Sequence, residues 1–441
     1  MITLAASIAT FSATALRFRW GISLFVFFLA FTPRSLGLGM AGGSVTFLRI
    51  VFPIILTLAI LSILSTPHKG FKNSRSGVFA AIYFSFALYF YKIGTTIYNE
   101  IPILYAVEDG LYSAIAMYVF YKICSDRMFF GITYAILLAL ILSLLLALME
   151  SFIQQPLHAP FANQEILNEE LRGSFRDQRY RIQGLFDGTL MFVEFTVYGL
   201  CCTLLYVHRF PKIIQLVSII ILGFILWSTG ARSAIIVSFF VFLVFRISLT
   251  WPQLSKQSRF FSSLILGGLT LIVLYLAFSV VFDLGSESPL GRYHLMDEVE
   301  RSTASRAYQY FEVFAIVGEH PFVGVGVHQN FALDLDGLHR IDSYYLRVLL
   351  ESGIPGLMLF LVFIFLVYRI LFVRLRQCRN MHDRRVAAFL ISLLAGFVMM
   401  KLFLSQPTNN VIFFILIGSG LKVLDNRASP QNVDYDNSPH Q

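Results

Sequence analysis

The chain is 441 residues long, 57% hydrophobic and only 14% charged, with a mean hydropathy of +0.71 and a formal net charge of +8. Soluble domains run at about 25% charged and about 45–50% apolar, so a soluble globular protein is excluded; the apolar residues also recur in blocks of roughly 20, the length that spans a bilayer. In such a chain the Lys and Arg surplus reports orientation by collecting in cytoplasmic loops, and no nucleic-acid affinity is read from it.

In chain order, the first residues are too weakly apolar to predict a span, and Arg17 and Arg19 mark an uncleaved start rather than a signal peptide. Apolar runs follow near 20–36, 46–65, 78–97, 104–123, 128–149, 184–207, 212–229, 233–250, 260–282, 346–369, 386–404 and 409–424, which predict an all-α polytopic protein of about 12 transmembrane helices. With the amino terminus inside, the cytoplasmic loops hold Lys69, Lys72 and Arg75, then Lys122 and Arg127, Arg209 and Lys212, Lys256 and Arg259, and Arg374 to Arg385. The short outward connections near Asn99, Gly230 and Pro407 carry almost none. Alternation of this kind is the positive-inside pattern and puts both termini in the cytoplasm. The division expected is nine spans over 1–282 with a smaller outward loop near 150–181, a large outward loop over 283–345, three spans over 346–424, and a disordered polar tail over 425–441. Cys124, Cys201, Cys202 and Cys378 lie in or beside apolar runs without CxxC spacing, which reads as packing rather than zinc or disulfides.

The large loop is acidic, with ten Asp and Glu against four Arg, and 302–317 reads as an amphipathic helix with Ala304, Tyr308, Phe311 and Ala315 at helical spacing. Three arginines stand where spans meet the outer face: Arg181, Arg232 in the hairpin STGARSA, and Arg306. A guanidinium stays charged and grips phosphate oxygens in a bidentate way; against that, a single arginine at an interface is an ordinary snorkelling anchor. Asp342, just before the tenth run, is the candidate base, since a carboxylate at a low-dielectric boundary can accept a proton. It is equally placed to cap the following helix. His320, His328 and His339 are alternatives without metal-ligand spacing, and Arg340, Ser343, Tyr344 and further tyrosines complete the polar set. Glu108, Asp109 and Glu194 fall inside spans, where acids are functional candidates or partners of neighbouring cations.

The stretch 227–365 resembles the core of the O-antigen ligase and Wzy-type polymerase superfamily. The resemblance rests on Thr229-Gly230-Ala231-Arg232-Ser233 between two spans, on Arg306 opening a helix, on His320-Pro321-Phe322-Val323-Gly324-Val325-Gly326, and on Asp342-Ser343 followed, after nine intervening residues, by Gly353-Ile354-Pro355-Gly356. Asp342 stands where ligases place histidine, which favours the polymerase side. The resemblance implies a GT-C-like, inverting glycosyltransferase without metal or other cofactor, in the bacterial inner membrane with a periplasmic active site. Its implied donor and acceptor are polyprenyl-diphosphate-linked glycans, in keeping with the lack of a P-loop, Rossmann glycine pattern or DxD motif. The implied roles are catalytic for Asp342, Arg232 and Arg306. Arg181, Arg232, Arg306, His320, His339, Arg340, Ser343 and Tyr344 would bind diphosphate and glycan. A chain-length regulator and a flippase are implied partners, beside membrane lipid. The rival readings are a ligase, a transporter or flippase, which the large outward loop disfavours, and a sensory or scaffold protein, which lacks an output domain here.

Overall fold

The computed structural model describes residues 2–31, 38–40, 43–45, 50–58, 76–155, 157, 175–176, 179–180, 182, 186, 189–229, 231–255, 257–258, 268, 298–327, 341, 343–378, 380–404 and 409–427. Its main helices are α1 (Ile2–Leu16), α2 (Phe18–Phe31), α3 (Ser76–Tyr98), α4 (Tyr112–Ile123), α5 (Asp126–Ile153), α6 (Thr189–Tyr206), α7 (Lys212–Ser228), α8 (Arg232–Thr250), α9 (Glu298–Glu319), α10 (Tyr344–Gln377), α11 (Met381–Phe403) and α12 (Asn410–Arg427). A helical stretch covers 50–58, and a short helix and a π-turn, Ile103–Ala106 and Val107–Leu111, lead into α4. The described residues are all-helical as expected, apart from two short antiparallel hairpins that pair Leu38–Met40 with Gly43–Val45 and Phe175–Arg176 with Arg179–Tyr180.

Among the described residues, six helices are long and apolar enough to cross a membrane: Gly77–Tyr98, Asp126–Ile153, Thr189–Arg209, Ser233–Thr250, Tyr344–Gln377 and Met381–Phe403. Phe18–Leu29 and Lys212–Ser228 are apolar but shorter. The run near 260–282 lies outside the described residues apart from Gly268. Two sequence expectations change at the ends of the chain. The weakly apolar start folds as α1 and packs on α2. α12 continues to Arg427, so Asp425 and Arg427 are helical rather than part of a tail.

α6, α11 and α12 form the centre, and almost every residue of α12 is buried. Around them α8 packs on α11, α3 on α10, α4 on α12 and α2 on α5. Small residues allow close approach, as is usual where lipid supplies no hydrophobic drive between helices. A Cβ at Gly418 of α12 would collide with the Met117 carbonyl of α4. Aromatic faces fill the remaining space, with Phe397 stacked on Phe413 at 3.8 Å and Phe363 on Phe414 at 5.3 Å between ring centroids. The outer faces of α5, α7, α8 and α10 expose Leu138, Ile219, Phe239 and Phe365, the arrangement expected of helices that face lipid.

One end of the bundle is tied by charge. Arg427 reaches Asp126 at the start of α5 and Asp383 at the start of α11, both at 2.6 Å. Asp425 accepts a hydrogen bond from Tyr121 at 2.6 Å and pairs with Arg374. The loops read as cytoplasmic around Lys122, Arg209 and Arg374 therefore share one end. Ser125 and Asn380 cap α5 and α11 there, their side chains accepting from Met128 N–H at 3.4 Å and Asp383 N–H at 2.8 Å.

Candidate active site

The opposite end is organised by a break in α10. Gly353 takes φ +63°, and Pro355 has no N–H, so a continuous helix is interrupted there. The carbonyls of Leu350 and Glu351 lose the partners that residues 354 and 355 would have supplied. The loop 320–327 replaces them. Val325 N–H donates to Leu350 O at 2.9 Å, Gly326 N–H to Glu351 O at 3.1 Å, and Ile354 N–H turns to Pro321 O at 2.9 Å. From α3, Thr95 Oγ1 donates to Glu351 O at 3.2 Å, Asn99 Nδ2 lies 3.5 Å from Gly324 O, and the Tyr91 hydroxyl donates to Phe322 O. Gly324 and Gly326 take φ +65° and +79°, which side chains disfavour. A Cβ on Gly353 would meet Pro321 O at 2.6 Å. The His-Pro-x-x-Gly-x-Gly element thus works here as a backbone clip on a broken helix.

Below the clip lies a buried charged cluster. Tyr344, Arg347 and Glu351 recur at helical spacing on the inward face of α10. Arg347 Nε donates to Glu351 Oε1 at 2.7 Å, and Lys92 Nζ of α3 lies 2.6 Å from Glu351 Oε2. A second pair sits across the Tyr344 ring: Lys401 Nζ of α11 is 2.7 Å from Glu194 Oε1 of α6. Tyr198 donates to the same oxygen at 2.7 Å, and Asn409 Nδ2, 3.4 Å from Glu194 Oε2, donates to Met191 O at 2.9 Å. Lys401 Nζ is 5.1 Å and Lys92 Nζ 6.0 Å from the centroid of Tyr344, within cation–π range. Lys92, Glu351, Lys401 and Glu194 are at most 1% exposed. Breaking a buried pair strands a charge, whereas an apolar replacement of both partners is often harmless, so such pairs speak for placement more than for stability. Ionisable groups at membrane depth are functional candidates for the same reason.

Asp342, Arg181, His339, Arg340 and His328 lie outside the described residues. Ile341 and Ser343, which flank Asp342 in the chain, are both buried. Arg232 opens α8 and Arg306 lies in α9, with their side chains outside the described set. His320 follows α9 with its side chain on the surface, apart from the buried cluster. Ser343 is the N-cap of α10, its buried hydroxyl without a hydrogen-bond partner among the described residues; the Asn410 amide is in the same position. Tyr344 lies at the heart of the cluster. Glu194 has the cation partner expected of an acid in a span, while Glu108 and Asp109 fall on the π-turn, a feature often found near functional sites.

Lys92, Arg347, Glu351 and Lys401 are the residues that sequence reading passed over. Their signal is the polar stripe Lys92, Thr95, Thr96, Asn99 at helical spacing inside an apolar run, and its counterpart Tyr344, Arg347, Glu351 in α10.

An apolar helical bundle with ion pairs buried towards one end, below a loop clipped to a broken helix, defines a multi-pass membrane protein with a polar core at that end. Residues 217–361 match the family model described as O-antigen ligase. The match covers about a third of the chain, and over that segment the protein is similar to a family whose members are membrane glycosyl-transferring enzymes. The matched segment takes in Arg232, Arg306, the glycine loop and the break in α10. No curated protein matches the chain.

Proposed function

We propose that the protein is a membrane glycosyltransferase that joins polyprenyl-diphosphate-linked oligosaccharide repeat units into a longer glycan on the periplasmic face of the inner membrane. The observation that carries this reading is the O-antigen ligase match over 217–361, which takes in Arg232, Arg306, Asp342, the glycine loop and the break in α10 but not Arg181. The buried cations and the clipped loop at one end of the bundle support it.

In this mechanism Arg181, Arg232 and Arg306 hold the diphosphate of the donor and stabilise its charge as it leaves. The acceptor hydroxyl oxygen attacks the anomeric carbon from the opposite face, and the bond from that carbon to the phosphate oxygen breaks. Polyprenyl diphosphate departs, the configuration inverts, and the hydroxyl proton passes to Asp342. Tyr344 and Ser343 shape the floor on which the acceptor lies. No metal is required in this scheme, as the superfamily resemblance implies.

The deciding experiment uses the purified full-length protein in nanodiscs with synthetic polyprenyl-diphosphate repeat units and EDTA. A ladder of longer lipid-linked glycans is the expected result. Transfer only after lipid A core is added means a ligase, the reading that the description of the matched family favours. Movement of intact lipid between leaflets, with no new glycosidic bond under either condition, overturns the enzyme reading.

A further inference from the structure

α9 has two apolar faces, and among the described residues only one of them meets protein. Val313 and Val317 are buried against Ile341, Leu346, Leu349 and Leu350, with Tyr310 and Ile316 packed at the edge. The stripe Phe311, Phe314, Ala315 and Gly318 recurs at i, i+3, i+4 and i+7 on another side and is exposed, Phe314 to 55%. Phe311 and Ala315, two of the residues that read from sequence as one stripe of an amphipathic helix, lie on this exposed side. Phe322, just past the end of α9, is 69% exposed and extends it.

The level of this stripe follows from the helices beside it. Gly77 of α3 lies against Ile370 of α10, near the charged end at Arg374. Tyr91, 14 residues up α3, holds the Phe322 carbonyl, and Thr95 holds Glu351. At about 1.5 Å rise per residue these contacts stand about 21 and 27 Å above Gly77, against a hydrocarbon core about 30 Å thick. Phe322 therefore sits at the outer edge of the hydrocarbon. It is set above the exposed stripe Ile354, Met358, Leu361 and Phe365 of α10, and is bound to its upper end through the Ile354 N–H to Pro321 bond. The aromatic face of α9 continues a lipid-facing surface.

We propose that α9 is an interfacial helix whose Phe311 and Phe314, with Phe322 just beyond it, insert into the outer leaflet, so that the helix bearing Arg306 is anchored in lipid as well as clipped to α10 through the loop that follows it. The occupant of this face is the bilayer at its headgroup–acyl boundary, where an amphipathic helix buries its apolar side about 5–10 Å deep. This rests on the membrane-spanning character of the bundle and is independent of the reaction catalysed.

The test uses the full chain in nanodiscs, with Cys124, Cys201, Cys202 and Cys378 replaced by Ala. Single nitroxides are placed at Phe314→Cys, Phe322→Cys, Met358→Cys as the lipid reference and Glu319→Cys as the water reference, and power saturation is compared in oxygen and in a nickel chelate. The expected result is oxygen accessibility exceeding nickel accessibility at both Phe positions, as at Met358→Cys. Nickel accessibility at either Phe position equal to that at Glu319→Cys overturns the proposal. Both side chains are exposed, so labelling leaves the packed core intact; a Phe314→Trp variant in a chain whose Trp20, Trp227 and Trp251 are replaced by Phe, quenched several-fold by brominated lipid, supplies an independent reading, and absence of quenching counts against it.

Discussion

Lys92 of α3 and Glu351 of α10 meet at 2.6 Å, both fully buried, beside a break in α10 that frees the Glu351 carbonyl for the glycine loop. The side chain of Glu351 thus fixes α3 and Arg347 while its backbone fixes the loop. One residue joins the buried charge to the motif.

Lys92→Met therefore leaves the buried Glu351 carboxylate short of one of its cation partners. We expect a loss of about 3–5 kcal/mol in stability, and recovery of most of it only when Arg347, which also pairs with Glu351, is replaced too, in Lys92→Met/Arg347→Met/Glu351→Met. Thermal unfolding in a fixed detergent measures both. Recovered stability with transfer activity still lost would assign the pair to placement of the site; recovery of both would make it a packing element.

The clip is tested at its glycines. Gly353→Ala must hold a side chain at φ +63° with its Cβ against Pro321 O, at about 1–3 kcal/mol, and it should release the loop to protease before the bundle unfolds. Gly94 in α3 has nothing within 4 Å of a Cβ; Gly94→Ala should be neutral or stabilising by up to about 1 kcal/mol. Limited proteolysis of the two variants side by side gives the comparison.

Much of this was legible in the sequence and some was not. Composition and block length give the membrane class, and the charge alternation groups Lys122, Arg209 and Arg374, which the Arg427 and Asp425 clamps hold at one end. His320-Pro321 and Gly353-Ile354-Pro355 are visible as motifs, but that one mends the other's hydrogen bonds needs coordinates, since they lie about 30 residues apart. Lys92 and Lys401 each look like a lone cation in an apolar run; their partners come from other helices, and pairing at such a distance leaves no local pattern. The stripe on α9 was seen, but its partner was not, because helical periodicity reports an apolar face without saying whether protein or lipid covers it.

At the other end, Arg427→Ala removes partners of Asp126 and Asp383, which are partly solvated. Screening limits the effect to about 1 kcal/mol, and it should shrink further as salt is raised. Transfer activity, at the far end of the bundle, should be unchanged when measured on the folded fraction.

Cys378 lies in the connection between α10 and α11, where burial, and then the Asp383 carboxylate, push its thiol up to about 11 against the pull of Arg384 and Arg374. The thiolate is the reactive form, so alkylation should be slow at pH 8 and climb roughly tenfold per pH unit until about pH 11. The neutral thiol is the form that the fold favours, so this contribution to stability is fully present below the ordinary thiol value and is lost as pH rises from there through about 11. Cys124, Cys201 and Cys202 are buried. Mass-spectrometric alkylation against pH, on the native chain, separates the sites; a plateau for Cys378 near pH 9 would contradict the burial.

The central claim is glycosyl transfer from a diphosphate lipid with Arg232 on the diphosphate and Asp342 at the acceptor. The most direct measurement is the initial rate of glycan extension in nanodiscs for the wild-type chain, Arg232→Ala and Asp342→Ala, each checked for folding by its thermal transition. We predict loss of at least about 100-fold in both variants, with the wild-type folding transition retained. Folded Arg232→Ala and Asp342→Ala proteins that extend glycan at the wild-type rate would contradict the account.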